Sequence, residues 1–147
     1  MLQVDERIEI AAPRDRVFEM WTAVGQFPSF MTGVDLVHLE TEERMRWRVS
    51  VAGVDPVFYA VITELVPDRR IAWVSVDQTT MGWWIDLEDA GPERTCMTVR
   101  AIWSPRGSTT CATTAHELDE RTIRCDLQRF RALVERAFVE GTLEEAA

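Results

Sequence analysis

The chain has 147 residues, 46% of them hydrophobic and 28% charged, a balance that fits one globular domain and excludes a disordered chain. There are 16 basic residues against 25 acidic ones, a formal charge of −9, which argues against general affinity for nucleic acid or an anionic membrane surface, where cations must neutralise phosphates. Every basic residue is arginine, with no lysine and no asparagine, so lysine Schiff-base chemistry, a phosphate-loop lysine and N-glycosylation are excluded too.

Residues 4–10 read as a first strand with Ile8 and Ile10 on one face. Pro13 then opens a helix, where its missing N–H costs nothing. Val17, Met20, Trp21 and Val24 follow at helical spacing, and Gly25 is placed to end the helix. Pro28 starts a shorter helical turn through Phe30 and Met31, closed by Gly33. Over 34–104 the period changes to two: Met45, Trp47, Val49 and Val51 alternate with Arg44, Arg46, Arg48 and Ser50, a strand with one wet face. Gly53 and Pro56 mark a turn. Strands over 57–66, 70–76, 81–88 and 94–104 follow, separated by Pro67-Asp68 and Gly91-Pro92. Short turns between consecutive strands imply antiparallel hairpins.

The stretch 104–115, rich in Ser, Thr, Pro and Gly, reads as a loop. Leu118, Ile123, Leu127, Phe130, Val134, Ala137 and Phe138 keep a three-four spacing up to Gly141, which predicts a helix over 118–140. At 1.5 Å per residue it is about 34 Å long, so the sheet must wrap along it. The fold class is therefore α+β, one domain over 1–147. A curved antiparallel sheet of about seven strands grips one long C-terminal helix, with two short helices after the first strand.

Cys96, Cys111 and Cys125 are odd in number and lack C-x-x-C spacing, which argues against a disulfide scaffold and for a reducing cytoplasm. No basic stretch followed by an apolar core opens the chain, so no signal peptide is expected. The uncharged run 20–34 is too short for a membrane span and carries Gly25, Pro28 and Gly33.

The series Ala12-Pro13, Val17-Phe18, Trp21, Phe27-Pro28-Ser29-Phe30-Met31-Thr32-Gly33-Val34, Trp47, Gly53, Ala60-Val61-Ile62-Thr63-Glu64, Pro67-Asp68-Arg69-Arg70-Ile71-Ala72-Trp73 and Asp126-Leu127-Gln128-Arg129-Phe130-Arg131 resembles the START-like helix-grip superfamily, also called SRPBCC. Within it, the resemblance is to the polyketide cyclase/dehydrase group, over about residues 4–138. It implies a deep cavity for an apolar or amphipathic molecule and needs no cofactor. The superfamily includes aromatase/cyclases, lipid and quinone carriers, hormone receptors and resistance proteins, so activity must be argued from the pocket. Three readings follow: an aromatase/cyclase-like enzyme of secondary metabolism, served by an acyl carrier protein; a non-catalytic carrier of a lipid, quinone or other hydrophobic metabolite; and a resistance or sequestration protein.

Strand alternation assigns the faces. With Met45, Trp47 and Val49 taken as concave, Phe58, Ala60, Ile62, Ile71, Trp73, Ser75, Met97, Val99, Ala101 and Trp103 share the cavity side, and Gly82, Trp84 and Asp86 come as one inward set. Trp21, Phe27, Phe30 and Met31 close one end, and Ile123, Leu127 and Phe130 line the helix side. This apolar lining suits an apolar ligand. Asp86 in such a pocket would have a raised pKa and could move protons, with His38 or Ser75 as helper. Val57, Tyr59, Val61, Ala72, Val74, Trp83, Ile85 and Ile102 fall on the outer face, an apolar patch that points to a homodimer. Arg48 and Arg100 alternate outward. Cys111 and His116 are too few and too irregular for zinc, and the glycines form no nucleotide-binding spacing, so neither a metal nor a nucleotide cofactor is expected.

Overall fold

A computed structural model describes the backbone of residues 2–50, 57–76, 80–104 and 120–146. Its elements are β1 (Leu2–Ile10), α1 (Arg14–Thr22), a 3-10 helix (Val24–Ser29), β2 (Val34–Leu39), β3 (Arg44–Val49), β4 (Val57–Val66), β5 (Arg70–Ser75), β6 (Thr80–Gly91), β7 (Arg94–Ser104) and α2 (Glu120–Ala146). The seven strands form one sheet in the order β1-β7-β6-β5-β4-β3-β2, every neighbouring pair antiparallel. From β2 to β7 the chain meanders. The two short helices carry it from β1 at one edge to β2 at the other. The curled sheet and α2 make the helix-grip fold.

Several boundaries differ from the sequence expectation. Pro13 is the extended residue before α1, its carbonyl accepting from the N–H groups of Arg16 and Val17. Gly25 does not end α1; the helix stops at Thr22, and Gly25 and Pro28 both lie in the 3-10 helix. Gly33 takes φ +80°, the left-handed conformation that lets the chain turn into β2. Gly141 does not end α2 either. Among the described residues the glycines with positive φ are Gly33 and Gly91, and α2 runs through Gly141 to Ala146. Its 27 residues extend about 40 Å. The expected turn at Gly53 and Pro56, the loop over 105–115, and Val51, Cys111 and His116 lie outside the described residues.

The core lies between the concave face and α2. Val4, Ile8 and Ile10 of β1, Met45, Trp47 and Val49 of β3, Phe58 and Ala60 of β4, and Met97, Val99 and Ala101 of β7 are buried there, against Ile123, Leu127, Phe130 and Val134 of α2. β6 corrects the expected alternation. Trp83 pairs with Trp73 and Ala101, and Ile85 with Ile71 and Val99, so Met81, Trp83, Ile85 and Leu87 are the buried set. Gly82, Trp84 and Asp86 face outward, as does Glu88 on the same alternation; turning that set inward would bury two carboxylates.

The outer face is correspondingly less apolar than the sequence suggested. It loses Trp83 and Ile85, gains Trp84, and keeps Val57, Tyr59, Val61, Val74 and Ile102 half-buried, while Ala72 is buried. Arg70 pairs there with Glu64 at 3.1 Å and Asp86 at 2.9 Å, and Arg100 with Asp5 at 2.9 Å. The Trp84 ring lies over Gly82, where a Cβ would come within 2.6 Å of it.

Candidate functional site

The gap between sheet and helix is largely occupied by rings. Trp21 of α1 stacks on Phe130 of α2 with centroids 4.3 Å apart. Phe27 stacks on Trp73 at 5.4 Å, Trp73 on Trp83 at 6.0 Å, and Trp47 on Phe58 at 5.6 Å. Phe30 meets Trp21 and Phe130 edge-on. Such contacts add about 0.5–1.5 kcal/mol each beyond area burial. Among the described residues an apolar cavity of about 30 Å³ remains there, room for about two waters. Its wall is Trp47 and Val49 of β3, Phe58 of β4, Met81 and Trp83 of β6, and Ala101 and Ile102 of β7. Met31, Thr32 and Val34 close it from the segment entering β2, and Ile123 and Asp126 from α2.

Of the residues expected on the cavity side, Met31, Trp47, Val49, Phe58, Ala101 and Ile123 border this cavity. Trp21, Phe27, Phe30, Met45, Ala60, Trp73, Met97, Val99, Leu127 and Phe130 are core residues packed behind it. Ile62 is half-buried beside the bulge that shifts the β4–β5 register. Trp84 is on the outer face, and Trp83 takes the inward place. Trp103 holds the strand position opposite Met81; its side chain lies outside the described ones.

The expected acid–base group does not assemble. Asp86 is on the outer face, half exposed and ion-paired to Arg70. His38 is exposed on edge strand β2, opposite Arg46. Ser75 is half-buried at the end of β5, its Oγ accepting a hydrogen bond from the Met81 N–H at 3.0 Å. The three residues sit on three different strands, and Asp86 leaves the cavity side because one residue of slip in β6 exchanges its two faces.

A different carboxylate faces the cavity. Asp126 on α2 is 3% exposed. Its Oδ2 accepts from the Thr32 N–H at 2.9 Å, and its Oδ1 from the Thr32 hydroxyl at 2.6 Å and from Arg129 Nη1 at 3.1 Å. Burial pushes its pKa above the usual aspartate value, opposed by the Thr32 hydrogen bonds and the Arg129 charge. Because Gly33 turns the chain immediately afterwards, Thr32 presents both backbone and hydroxyl donors to one carboxylate. The pair ties the segment that closes the cavity to the long helix. Among the described residues, no three His, Cys, Asp or Glu side chains converge as metal ligands, and no helix is long and apolar enough to cross a membrane.

The family model described as polyketide cyclase / dehydrase and lipid transport matches residues 10–131. The chain belongs to that family. A relative in it is an uncharacterized 17.2 kDa protein of the melC2–rnhH intergenic region of Streptomyces lincolnensis, 31% identical over 139 residues, 92% of this chain and 91% of that one. Solved structures share the fold at lower identity. DR_A0006 of Deinococcus radiodurans is 22% identical with a TM-score of 0.73, covering 93% of this chain and 99% of that one. The ZhuI aromatase/cyclase of Streptomyces sp. R1128 is 21% identical with a TM-score of 0.68, covering 91% and 93%. A START superfamily protein of Mycobacterium smegmatis is 12% identical with a TM-score of 0.68, covering 94% and 97%.

Sequence reasoning overlooked Asp126, Thr32 and Trp83 as site residues of this family member. The signal for Asp126 was present: it stands three residues after Ile123 and four before Phe130, inside the apolar stripe of α2 rather than on its wet face. A carboxylate at such a position must find donors. That Thr32 supplies them, 94 residues away, is a tertiary fact with no local signal.

Proposed function

We propose that this protein binds a hydrophobic small molecule between its sheet and α2. The observation that carries the reading is the apolar cavity, whose Thr32 segment is held to α2 by Asp126 and Arg129. The cavity's 30 Å³ is far below the several hundred Å³ that a drug-sized guest fills. Binding therefore requires the Met31–Val34 stretch to leave α2 and the rings beneath it to repack. Native mass spectrometry of the purified protein, followed by titration with the apolar fluorophore 1-N-phenylnaphthylamine, tests this. Retained apolar mass or saturable emission is expected; neither would overturn the reading.

A second reading, cyclase/dehydrase chemistry on a linear polyketide, is favoured by Asp126 itself. A buried carboxyl of raised pKa at an apolar wall suits proton transfer at an activated methylene. Such an enzyme relies on folding the chain against the wall for most of its effect. Asp126→Asn should then lower cyclisation of a linear poly-β-ketone by about a hundredfold. An unchanged rate would leave binding alone. The absence of Asp86, His38 and Ser75 from one place supports the carrier reading as the primary one.

A further inference from the structure

The interior holds two indole N–H groups without acceptors. Trp47 and Trp73 are 2% and 0% exposed, and the Nε1 of each is buried with no hydrogen-bond partner among the described residues. Trp21, equally buried, has one: its Nε1 donates to the Met97 sulfur at 3.2 Å. An unmet buried donor costs about 1–3 kcal/mol. Phenylalanine at either position would leave no donor to satisfy, but it would give up ring volume in a packed core; the indoles therefore combine packing with two donors left open. The two rings lie beside each other, centroids 6.2 Å apart, on inward positions of β3 and β5. Trp47 forms part of the cavity wall.

Taking the binding reading above as its basis, we infer that Trp47 and Trp73 are specificity determinants, donating their indole N–H groups to an acceptor oxygen of the guest. The apolar wall holds the body of the guest and does not discriminate between oxygenated and oxygen-free molecules of one shape. The indoles do discriminate, because a guest without an acceptor leaves both donors unmet, whereas a carbonyl or ether oxygen relieves that penalty. Asp126 is not their acceptor in this structure: its oxygens accept from Thr32 and Arg129, and neither indole N–H has a partner among the described residues. The site therefore selects a molecule that is mostly hydrocarbon and carries an acceptor oxygen placed against β3 and β5.

The test uses two rigid guests of nearly one shape, 9-fluorenone and fluorene, which differ by a carbonyl in place of a methylene. They are titrated into the full-length ¹⁵N-labelled protein. Fluorenone should bind about three- to tenfold more tightly, the worth of a hydrogen bond formed on binding. The indole N–H resonances of Trp47 and Trp73, assigned by their disappearance in W47F and W73F, should move downfield with fluorenone and not with fluorene. In W47F the preference should shrink toward equality. Equal affinities with equal indole shifts would overturn the inference while leaving apolar binding intact. Binding of neither compound would overturn both. If W47F fails to fold, the affinities of the two guests for the wild-type protein still decide, because they are read without the variant, and equal affinities overturn the inference.

Discussion

At the scale of single residues, Asp126 makes stability depend on pH in the direction opposite to most paired carboxylates. Its pKa lies above the ordinary 3.8 because burial outweighs the Thr32 and Arg129 contacts. Below pH 3.8 the group is protonated folded and unfolded alike. Between 3.8 and the raised native value the unfolded chain releases its proton first, so each step upward in pH favours unfolding; above the native value the loss is constant. Asp5 behaves in the ordinary sense, held low by hydrogen bonds from Gln3 and Arg100, so its stabilisation is present above its ordinary value and disappears as pH falls. Because Asp5 is the same in both proteins, the difference between wild type and Asp126→Asn isolates Asp126. Urea unfolding from about pH 3 to 7 should show the Asn variant gaining on wild type as pH rises through that window, then running parallel to it. Parallel curves throughout would mean that the carboxyl titrates alike in both states.

At the scale of elements, two glycines give opposite predictions. In α2, a Cβ at Gly141 meets only the Arg16 guanidinium at 3.7 Å, and the backbone is helical. Gly141→Ala should therefore stabilise by about 0.5–1 kcal/mol, read as a rise in the denaturation midpoint. In β6, a Cβ at Gly82 meets the Trp84 ring at 2.6 and 2.8 Å and Ile102 at 3.4 Å. Gly82→Ala should destabilise by about 1–3 kcal/mol, and the loss should vanish once Trp84 is also Ala. A loss that persists in the double variant would place the strain in the backbone.

The same strand shows what the sequence made legible. The bounds of β4 and β7 were readable because a clean turn flanks each strand: Pro67-Asp68 after Val66, and Gly91-Pro92 before Arg94. The grip of sheet on helix followed from the length of α2. The facing of β6 was misread through Trp84, since Trp83 and Trp84 are adjacent and either could point inward. The charges at Asp86 and Glu88 held the answer, as they share Trp84's face. Gly141 misled because glycine ends a helix only where the chain adopts positive φ, and nothing local demands that here. The segment around Thr32 could be placed near the helix by the resemblance, but its hydrogen bonds to Asp126 come from the folded chain alone.

At the scale of the whole molecule, a filled interior and the proposed binding function are reconciled only if the interior opens, and the proposed place of opening is the stretch from Met31 to Val34. The chain from Met31 to Val34 bridges the 3-10 helix and edge strand β2, and Thr32 is tied to α2 by hydrogen bonds with Asp126 and Arg129. Thr32→Val keeps the side chain's shape and leaves the backbone N–H on Asp126 Oδ2, but removes the hydroxyl between Asp126 and Arg129. A hydrogen bond to a charged group contributes about 1.5–3 kcal/mol, and each 1.4 kcal/mol is a factor of about ten in an equilibrium. If a guest enters as this segment lifts, the variant should take up 1-N-phenylnaphthylamine at least about tenfold faster in stopped-flow mixing. Its unfolding free energy should fall by a similar amount, because the same hydrogen bond is lost in both processes. The two measurements separate the possibilities. Lower stability with unchanged uptake would show that the hydroxyl supports the fold while guests pass elsewhere. Faster uptake together with the stability loss would identify the Thr32–Asp126 tie as the closure of the site.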